Sequence, residues 1–385
     1  MILKMDYITY DDTIIFSPDF NKPLEPELLS NYKKIIFSNY KLDDNLKNLK
    51  WINSKFNLPL VNYLNNLSSL TNLTFGGNFN QPLVNSLDNL TSLTNLTFGR
   101  NFNQSLSNSL DNLISLTNLT FGFYFNQLLL NSLDKLISLR YLTFDYCFNQ
   151  SLKNSLGSMI SLTHLTFGKL FNQPLENSLG SLTSLTHLTF GNCFNQSLKD
   201  SLGSLTSLTH LNFSNEFNQP LSNSLESLTS LTYLTFGNCF NQSLKDSLGR
   251  LKTLNHLTFG SNFYQKDDLP SNIKSLTINC NNSYYIDFLS SNIEEVELGK
   301  SFNLGLDNLT SSIKKISFYK ESYYNKELNC LPNGLEILQL PKKYNLQIKN
   351  IPKGLKKLIC SKDYPFINNL ADLEVKGLLK IDFYI

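Results

Sequence analysis

All four histidines of this chain occupy the same position of a repeating pattern. His164, His187 and His210 follow one another at intervals of 23 residues, and His256 comes two intervals later. A row of imidazoles is a candidate metal site or pH sensor, because imidazole is a common metal ligand and titrates near neutral pH. The next outward residue of each repeat is threonine or asparagine, however, and not a carboxylate or thiol that would support a metal. We therefore expect outward-facing polar residues here, with no metal and no cofactor.

Three of the six cysteines also recur at one repeat position. Cys147, Cys193 and Cys239 are separated by 46 residues, which places them on every second repeat. Alternate rungs of a parallel sheet lie roughly 9–10 Å apart, whereas a disulfide needs Cα atoms within about 7 Å. The other three cysteines lack the spacing of zinc ligands. We expect reduced cysteines that serve packing.

Sequence signatures of enzymes are missing from this chain. It has no phosphate-binding glycine loop, no nucleophile elbow and no pair of carboxylates that recurs on one face. Its serines and threonines recur at fixed repeat positions, which is typical of caps and turns. The sequence therefore predicts a protein that is not an enzyme and has no catalytic residues.

Charge and hydropathy limit the possible partners. The 33 basic and 31 acidic residues leave a net charge of +2, whereas nucleic acids and anionic membranes require a concentrated basic face. No apolar stretch approaches the roughly 20 residues of a membrane span, and the first residues lack the apolar core of a secretory signal. We expect a cytoplasmic monomer that binds neither nucleic acid nor membrane.

The elements that position these residues follow from a repeated Phe-Asn dipeptide, which recurs nine times at intervals of 23 residues. A fixed period in the range of roughly 20–50 residues predicts a solenoid, in which each repeat forms one coil and stacks on its neighbours. Such a stack offers long surfaces and no deep pocket, which favours binding over catalysis. The repeats begin at Phe56, Phe79, Phe102, Phe125, Phe148, Phe171, Phe194, Phe217 and Phe240.

Each coil combines two hydrophobic spacings. Counted from its first phenylalanine, a coil has leucine at positions 5, 9, 12, 15 and 18 and phenylalanine at position 20. The spacing from 5 to 12 predicts a short helix, and the alternation at 18 and 20 predicts a strand. The serine at position 8, such as Ser86, is expected to cap the helix at its N-terminus. Stacked coils of this kind predict one continuous parallel β-sheet, with short helical or irregular turns on the opposite face.

The segment 93–101, Leu-x-x-Leu-x-Phe-x-x-Asn, resembles the core of a leucine-rich repeat. More specifically, Phe-Asn-Gln-Pro-Leu at 79–83 and 171–175 resembles the FNIP repeat, and 331–340 resembles its proline-bearing form. The resemblance covers about residues 20–366. It implies a right-handed solenoid of about fifteen leucine-rich-repeat-like α/β coils. It also implies an amoebal or giant-virus source, and a location in the host cytoplasm if the source is viral.

Many FNIP proteins carry an F-box before their repeats, and this helical module connects substrates to a ubiquitin ligase. Residues 20–55 of this chain are too short and too repetitive to contain one. We therefore expect a non-catalytic protein–protein interaction scaffold with a protein partner. The alternative is a substrate-recognition subunit of a ubiquitin ligase that docks through another contact.

The repeat pattern divides the chain into three predicted regions. Residues 1–55 form an N-terminal cap with degenerate repeats, 56–262 the regular array, and 263–385 degenerate repeats of 20–22 residues with a C-terminal cap. The alternating segments 6–10 and 379–383 are expected to be terminal strands, which solenoids need to cover their end faces.

The asparagine at position 2 is uniform through the regular array. Where the chain leaves the strand, backbone groups lose their partners, and a buried asparagine supplies two donors and one carbonyl acceptor to satisfy them. We expect this row to hold neighbouring coils together and not to bind a ligand. The predicted structural ladder consists of Asn57, Asn80, Asn103, Asn126, Asn149, Asn172, Asn195, Asn218 and Asn241.

The coils between residues 121 and 170 depart from the pattern by gaining aromatic and apolar residues. Stacking is expected to gather these side chains along the sheet and the edge where the chain leaves it. Aromatic residues and arginine supply most binding hot spots, and exposed apolar patches mark contact sites. Alternatively, the same residues pack between coils without a function. The predicted partner-binding residues are Phe123, Tyr124, Arg140, Tyr141, Tyr146 and Leu170.

Overall fold

The structure is a computed structural model that describes residues 6–42, 49–370 and 376–384. The chain divides into two compact units, Met1–Leu208 (unit 1) and Thr209–Ile385 (unit 2). Within the described ranges, no helix is both long and apolar enough to cross a lipid bilayer.

Unit 1 begins with two antiparallel strands, β1 (Tyr7–Tyr10) and β2 (Thr13–Phe16), so that the predicted N-terminal strand is present. The helical turn α1 (Pro26–Leu29) leads to β3 (Lys34–Phe37), which pairs in parallel with β2. A separate antiparallel pair follows, β4 (Tyr40–Leu42) and β5 (Leu49–Trp51), which the repeat pattern does not anticipate.

The remaining strands of unit 1 are short and parallel, with one strand in each coil. Because the repeat interval is constant, the pairing is in register and joins identical repeat positions, such as Leu96 with Leu119 and Leu119 with Leu142. The strands are β6 (Asn72–Thr74), β7 (Asn95–Thr97), β8 (Asn118–Thr120), β9 (Tyr141–Thr143), β10 (His164–Thr166) and β11 (His187–Thr189).

Unit 2 repeats the same arrangement, and its strands also pair in parallel, each with the next along the chain. The strands are β12 (His210–Asn212), β13 (Tyr233–Thr235), β14 (His256–Phe259), β15 (Ser275–Ile278), β16 (Glu295–Leu298), β17 (Lys315–Phe318), β18 (Ile337–Gln339), β19 (Lys357–Cys360) and β20 (Lys380–Phe383). A helical turn, α2 (Tyr284–Asp287), lies between β15 and β16, and a 3₁₀ turn (Ile367–Leu370) precedes β20. The predicted repeat solenoid with a parallel sheet is confirmed.

The core of each coil is closed by its leucines and by two phenylalanines. Phe144, at position 20, and Phe148, at position 1 of the next coil, are buried with ring centroids 3.9 Å apart. Rings at the same position of successive coils also stack, as Phe148 and Phe171 do at 6.0 Å. The result is a continuous aromatic stack that fixes the spacing of the coils.

The predicted capped helix on the turn side is wrong within the regular array. The three-residue spacing of the leucines is met by successive tight turns, in which the Leu90 N–H donates to the Leu87 carbonyl and the Leu93 N–H to the Leu90 carbonyl. Such i to i+3 bonds have three residues per turn and so suit leucines spaced by three. Asn85 has a left-handed φ of 57°, and the Ser86 hydroxyl bonds to the Val84 carbonyl 3.3 Å away instead of capping a helix.

Candidate partner-binding surface

Where the chain leaves strands β7 to β10, one repeat position carries a cation, two aromatic rings and a second cation on four successive coils. We call these residues, Arg100, Phe123, Tyr146 and Lys169, the exit column. The rings of Phe123 and Tyr146 stack at 4.5 Å with an interplanar angle of 13°. The Arg100 guanidinium carbon lies 4.4 Å from the Phe123 ring centre, and the Lys169 ammonium lies 5.0 Å from the Tyr146 ring centre. Each end of the aromatic pair is therefore covered by a cation–π contact.

Backbone hydrogen bonds fix the register of this column. The Tyr124 N–H donates to the Arg100 carbonyl, and the Leu170 N–H donates to the Tyr146 carbonyl, both at 2.9 Å. The Tyr146 N–H donates to Asp145 Oδ1 at 2.7 Å. Because the backbone repeats from coil to coil, side chains at this position stand directly above one another and stack.

Two predicted residues extend the exit column toward solvent. Tyr124 is 44 % exposed and packs edge-on against Phe123, with ring centroids 4.8 Å apart. Leu170 is 38 % exposed and directly follows Lys169 in the chain. Four of the six predicted residues therefore lie at this edge, beside two cations.

The other two predicted residues, Arg140 and Tyr141, lie where strand β9 begins and not where it ends. The Tyr141 ring stacks on the His164 ring, with centroids 4.4 Å apart, and is 43 % exposed. Arg140 is exposed, and its carbonyl accepts the Thr163 hydroxyl at 3.0 Å. The structure thus divides the six predicted residues into two groups, one at each end of the same strands.

The histidines continue the stack that begins at Tyr141. The rings of His164 and His187 stack at 4.2 Å, and in unit 2 Tyr233 stacks on His256 at 4.1 Å. The Thr163 hydroxyl donates to a carbonyl, so its lone pair accepts a hydrogen bond from His164 Nδ1, 2.9 Å away. Neutral His164 therefore carries its proton on Nδ1 and presents Nε2 as an acceptor.

Partial burial lowers the pKa of His164 below its usual value, and the neighbouring imidazole of His187 adds to this effect. Burial also lowers the pKa of His256, against an opposing effect of Glu295. Among the described residues, no group of three or more histidine, cysteine, aspartate or glutamate side chains is arranged to hold a metal ion. The stack is therefore a row of ring faces in which the His164 ring is also hydrogen-bonded to Thr163.

These shifts predict a loss of stability in mild acid. Since folding lowers the pKa of His164, the unfolded chain takes up a proton first as the pH falls. The contribution of this residue is complete above the unfolded pKa of about 6.5 and declines as the pH falls below it. We expect the urea midpoint of unit 1 to fall between pH 7 and pH 5.

A His164→Asn variant is the matched control for that titration, because asparagine stands at the same position in Asn95 and Asn118. It should show a shallower fall of the urea midpoint over the same pH range. An equally steep fall in the variant would show that other groups cause the acid sensitivity.

The position-2 asparagines join neighbouring coils through their side-chain oxygens. Asn149 Oδ1 accepts the Asn172 N–H at 2.9 Å, and the Asn149 N–H donates to Asn126 Oδ1 at 2.8 Å. Most of these asparagines are half-buried and Asn57 is exposed, whereas the sequence predicted burial. The residues whose oxygen accepts the backbone N–H 23 residues later include Asn57, Asn80, Asn103, Asn126, Asn149, Asn172, Asn218 and Asn241, and the Asn195 N–H donates to Asn172 Oδ1.

Sequence reasoning missed two contributors at this edge. The glutamine at position 3 adds a second bond to each ladder step, as Gln173 Nε2 does to Asn149 Oδ1 at 3.0 Å. Its recurrence in every regular coil after the first, which has Leu58 at this position, was a usable signal. The second contributor is Arg100, which occupies the same position as Phe123 and Tyr146 but is not an aromatic or apolar departure from the repeat. Its role becomes visible only when the coils are stacked.

Solved structures resemble this arrangement of coils. CroV588, described as a circular leucine-rich-repeat protein, is 29 % identical over 92 % of this chain and 67 % of its own, with a TM-score of 0.52. An internalin (inlF) of Listeria monocytogenes is 18 % identical over 80 % of this chain and 87 % of its own, with a TM-score of 0.56. The fold is a leucine-rich-repeat solenoid.

A longer solved structure shares only the fold of this chain. A chain of the Toll–Spatzle complex of Drosophila is 15 % identical over 96 % of this chain, with a TM-score of 0.60. Our chain spans only 53 % of that chain. No family model matches this leucine-rich-repeat chain, and no curated protein matches its sequence.

Proposed function

We propose that this chain is a non-catalytic protein–protein interaction scaffold and that the exit column is the centre of its binding surface. The observation that carries the proposal is the stack of Phe123 and Tyr146 between Arg100 and Lys169, beside the exposed ring of Tyr124. Aromatic residues and arginine are enriched among the residues that dominate binding energy.

The geometry of the column favours binding because its side chains are already ordered. Stacked rings lose little rotamer freedom when a partner docks, which reduces the entropic cost of association. The cations lie over ring faces and keep their N–H groups for carboxylates or carbonyls of the partner. Apolar area and hydrogen-bond donors therefore occur together on one edge.

Arg140 and Tyr141 are proposed to form a second contact point at the other end of the same strands. Tyr141 is held by its stack on His164, and Arg140, the residue before it, is exposed. A partner that lies across the strand face would touch both groups. Leucine-rich-repeat folds commonly use the face of their sheet in this way, because such solenoids present extended surfaces.

We also propose a repeat type, a cellular location and region boundaries for this chain. The Phe-Asn-Gln-Pro motifs support assignment to the FNIP repeats, with 1–55 and 263–385 as capping regions of the regular array 56–262. The even charge balance supports a cytoplasmic monomer that binds protein and neither nucleic acid nor membrane. A ubiquitin-ligase role would require ligase subunits among the recovered partners.

The test replaces Phe123, Tyr124 and Tyr146 together by serine. We expect the full-length triple variant to fold, because none of the three side chains lies among the fully buried residues of the core. Partners recovered by the wild-type protein from cells of the source organism should be lost. For a purified partner, the dissociation constant should rise by about thirtyfold or more, as for loss of one hot spot of 2 kcal/mol.

The matched control changes three exposed isoleucines on the turn side of the same unit, Ile114, Ile137 and Ile160, to serine. They are 54 %, 55 % and 60 % exposed and stand at one position of three successive coils. This variant should keep partner binding. Unchanged binding by a folded exit-column variant, or equal loss in both variants, would exclude the exit column as the binding surface.

A further inference from the structure

A second candidate site lies in unit 2, where the repeat pattern changes. Position 5, a leucine in every regular coil, becomes Asp267 in the coil that begins at Phe263. The next coil carries the helical turn α2, which the regular coils lack. Between them lies a cavity of about 230 Å³, lined by Asp267, Asp268, Tyr284 and Phe288 among others.

The cavity has aromatic walls. Tyr284 and Phe288 are four residues apart and therefore lie on the same side of the helical turn, with ring centroids 5.2 Å apart. Phe288 is 72 % exposed, so a large apolar ring stands in solvent beside the opening. The buried ring of Tyr285 closes the floor, and its hydroxyl donates to the Asp267 carbonyl at 3.2 Å.

The cavity is also negatively charged. The Tyr284 hydroxyl donates to Asp268 Oδ1 at 2.8 Å and holds this exposed carboxylate at the aromatic wall. Asp267 accepts hydrogen bonds from the Ser243 hydroxyl and the Leu244 N–H, so it is held as well. Within the described part of the chain, neither carboxylate forms an ion pair with a lysine or arginine.

The two carboxylates also affect the ionisation of Tyr284. The hydrogen bond to Asp268 raises the pKa of Tyr284 above its usual value, and burial and the charges of Asp268 and Asp267 act in the same direction. The negative charges of the two carboxylates favour a cation at this cavity. Aromatic rings with an adjacent carboxylate are the groups that recognise ammonium cations.

We propose that this cavity binds the protonated side chain of a lysine from a partner protein. The ammonium group would pair with Asp268, and its four-carbon stem would lie against the rings of Tyr284 and Phe288. This site belongs to unit 2 and involves no residue of the exit column, so it can be tested whether or not the exit column binds a protein.

The experiment is a nuclear magnetic resonance titration of the full chain with the blocked pentapeptide Gly-Gly-Lys-Gly-Gly. The amide signals of 267–269 and 284–289 should shift in a saturable manner. A peptide with norleucine in place of lysine has the same stem without the charge, and it should bind about fivefold more weakly, as expected for loss of one exposed ion pair. Equal binding of both peptides would overturn the proposal.

Single substitutions test which residues bind the lysine peptide. Asp268→Asn should weaken binding of the lysine peptide about fivefold, and Phe288→Ala should weaken it by about threefold because the alkyl stem loses its contact with this ring. Asp200→Asn, which removes the same charge at an exposed turn of unit 1, is the control and should leave binding unchanged. Unchanged binding in Asp268→Asn, with thermal unfolding like that of the wild type, would overturn the assignment.

A final comparison distinguishes binding of a protein lysine side chain from binding of a free small-molecule cation. Choline carries a quaternary ammonium that can stack on rings but cannot donate a hydrogen bond to Asp268. The lysine peptide should bind more tightly than choline. Tighter binding of choline would make the cavity a small-molecule site and overturn the assignment to a protein lysine.

Discussion

Replacement of Phe148 by alanine is expected to lower the free energy of unfolding of unit 1 by about 3–5 kcal/mol, the usual range for a buried phenylalanine. Phe148 is fully buried and stacks on Phe144 at 3.9 Å, on Phe125 at 6.1 Å and on Phe171 at 6.0 Å. The truncation leaves a cavity between two coils and removes three ring contacts. Urea unfolding followed by circular dichroism measures the loss.

The matched control is Tyr124→Ala, which also truncates an aromatic residue but at a position 44 % exposed. Exposed substitutions usually change stability within about 0.5 kcal/mol. Hydrogen exchange should show that the loss in the Phe148 variant is concentrated in strands β9 and β10, because each repeat contacts mainly its neighbours. Similar losses for the two variants would contradict the placement of Phe148 in a closed aromatic core.

The second large effect is expected from Asn149→Ala, which should destabilise unit 1 by about 1–3 kcal/mol. Asn149 Oδ1 accepts two hydrogen bonds from the next coil, from the Asn172 N–H at 2.9 Å and from Gln173 Nε2 at 3.0 Å. Alanine removes the acceptor and leaves the Asn172 backbone N–H without its partner. The cost stays below that of Phe148 because the side chain is half-buried and water reaches part of it.

Asn149→Asp provides the control, because aspartate keeps an oxygen at the place where both bonds are accepted. We expect it to be less destabilising than alanine at neutral pH. His187→Ala should also cost less than Asn149→Ala, since exposed and half-exposed polar substitutions usually have small effects. If His187→Ala lowered the free energy of unfolding more than Asn149→Ala did, the position-2 asparagines would not be the structural row that joins the coils.

The cavity beside α2 and the exit column could be predicted only in part from the sequence. The exchange of leucine for Asp267 is visible in the sequence, but Tyr284, which lines the same cavity, lies 17 residues further on in a coil of different length. Spacing alone does not bring them together. Likewise, Phe123 and Tyr146 were singled out as departures, whereas the cations at both ends were recognised only from the ring distances.

The sequence by itself determined the repeat architecture, because a constant interval of 23 residues forces identical positions into register and an apolar residue, nearly always leucine or phenylalanine, fills the core at each inward position. It also indicated the asparagine row. The tertiary structure decided the tight turns in place of helices, the antiparallel pair β4 and β5, the separation of Tyr141 from the exit column, and the cavity beside α2. These features depend on contacts between coils and on backbone angles such as the left-handed φ of Asn85, which hydrophobic periodicity does not encode.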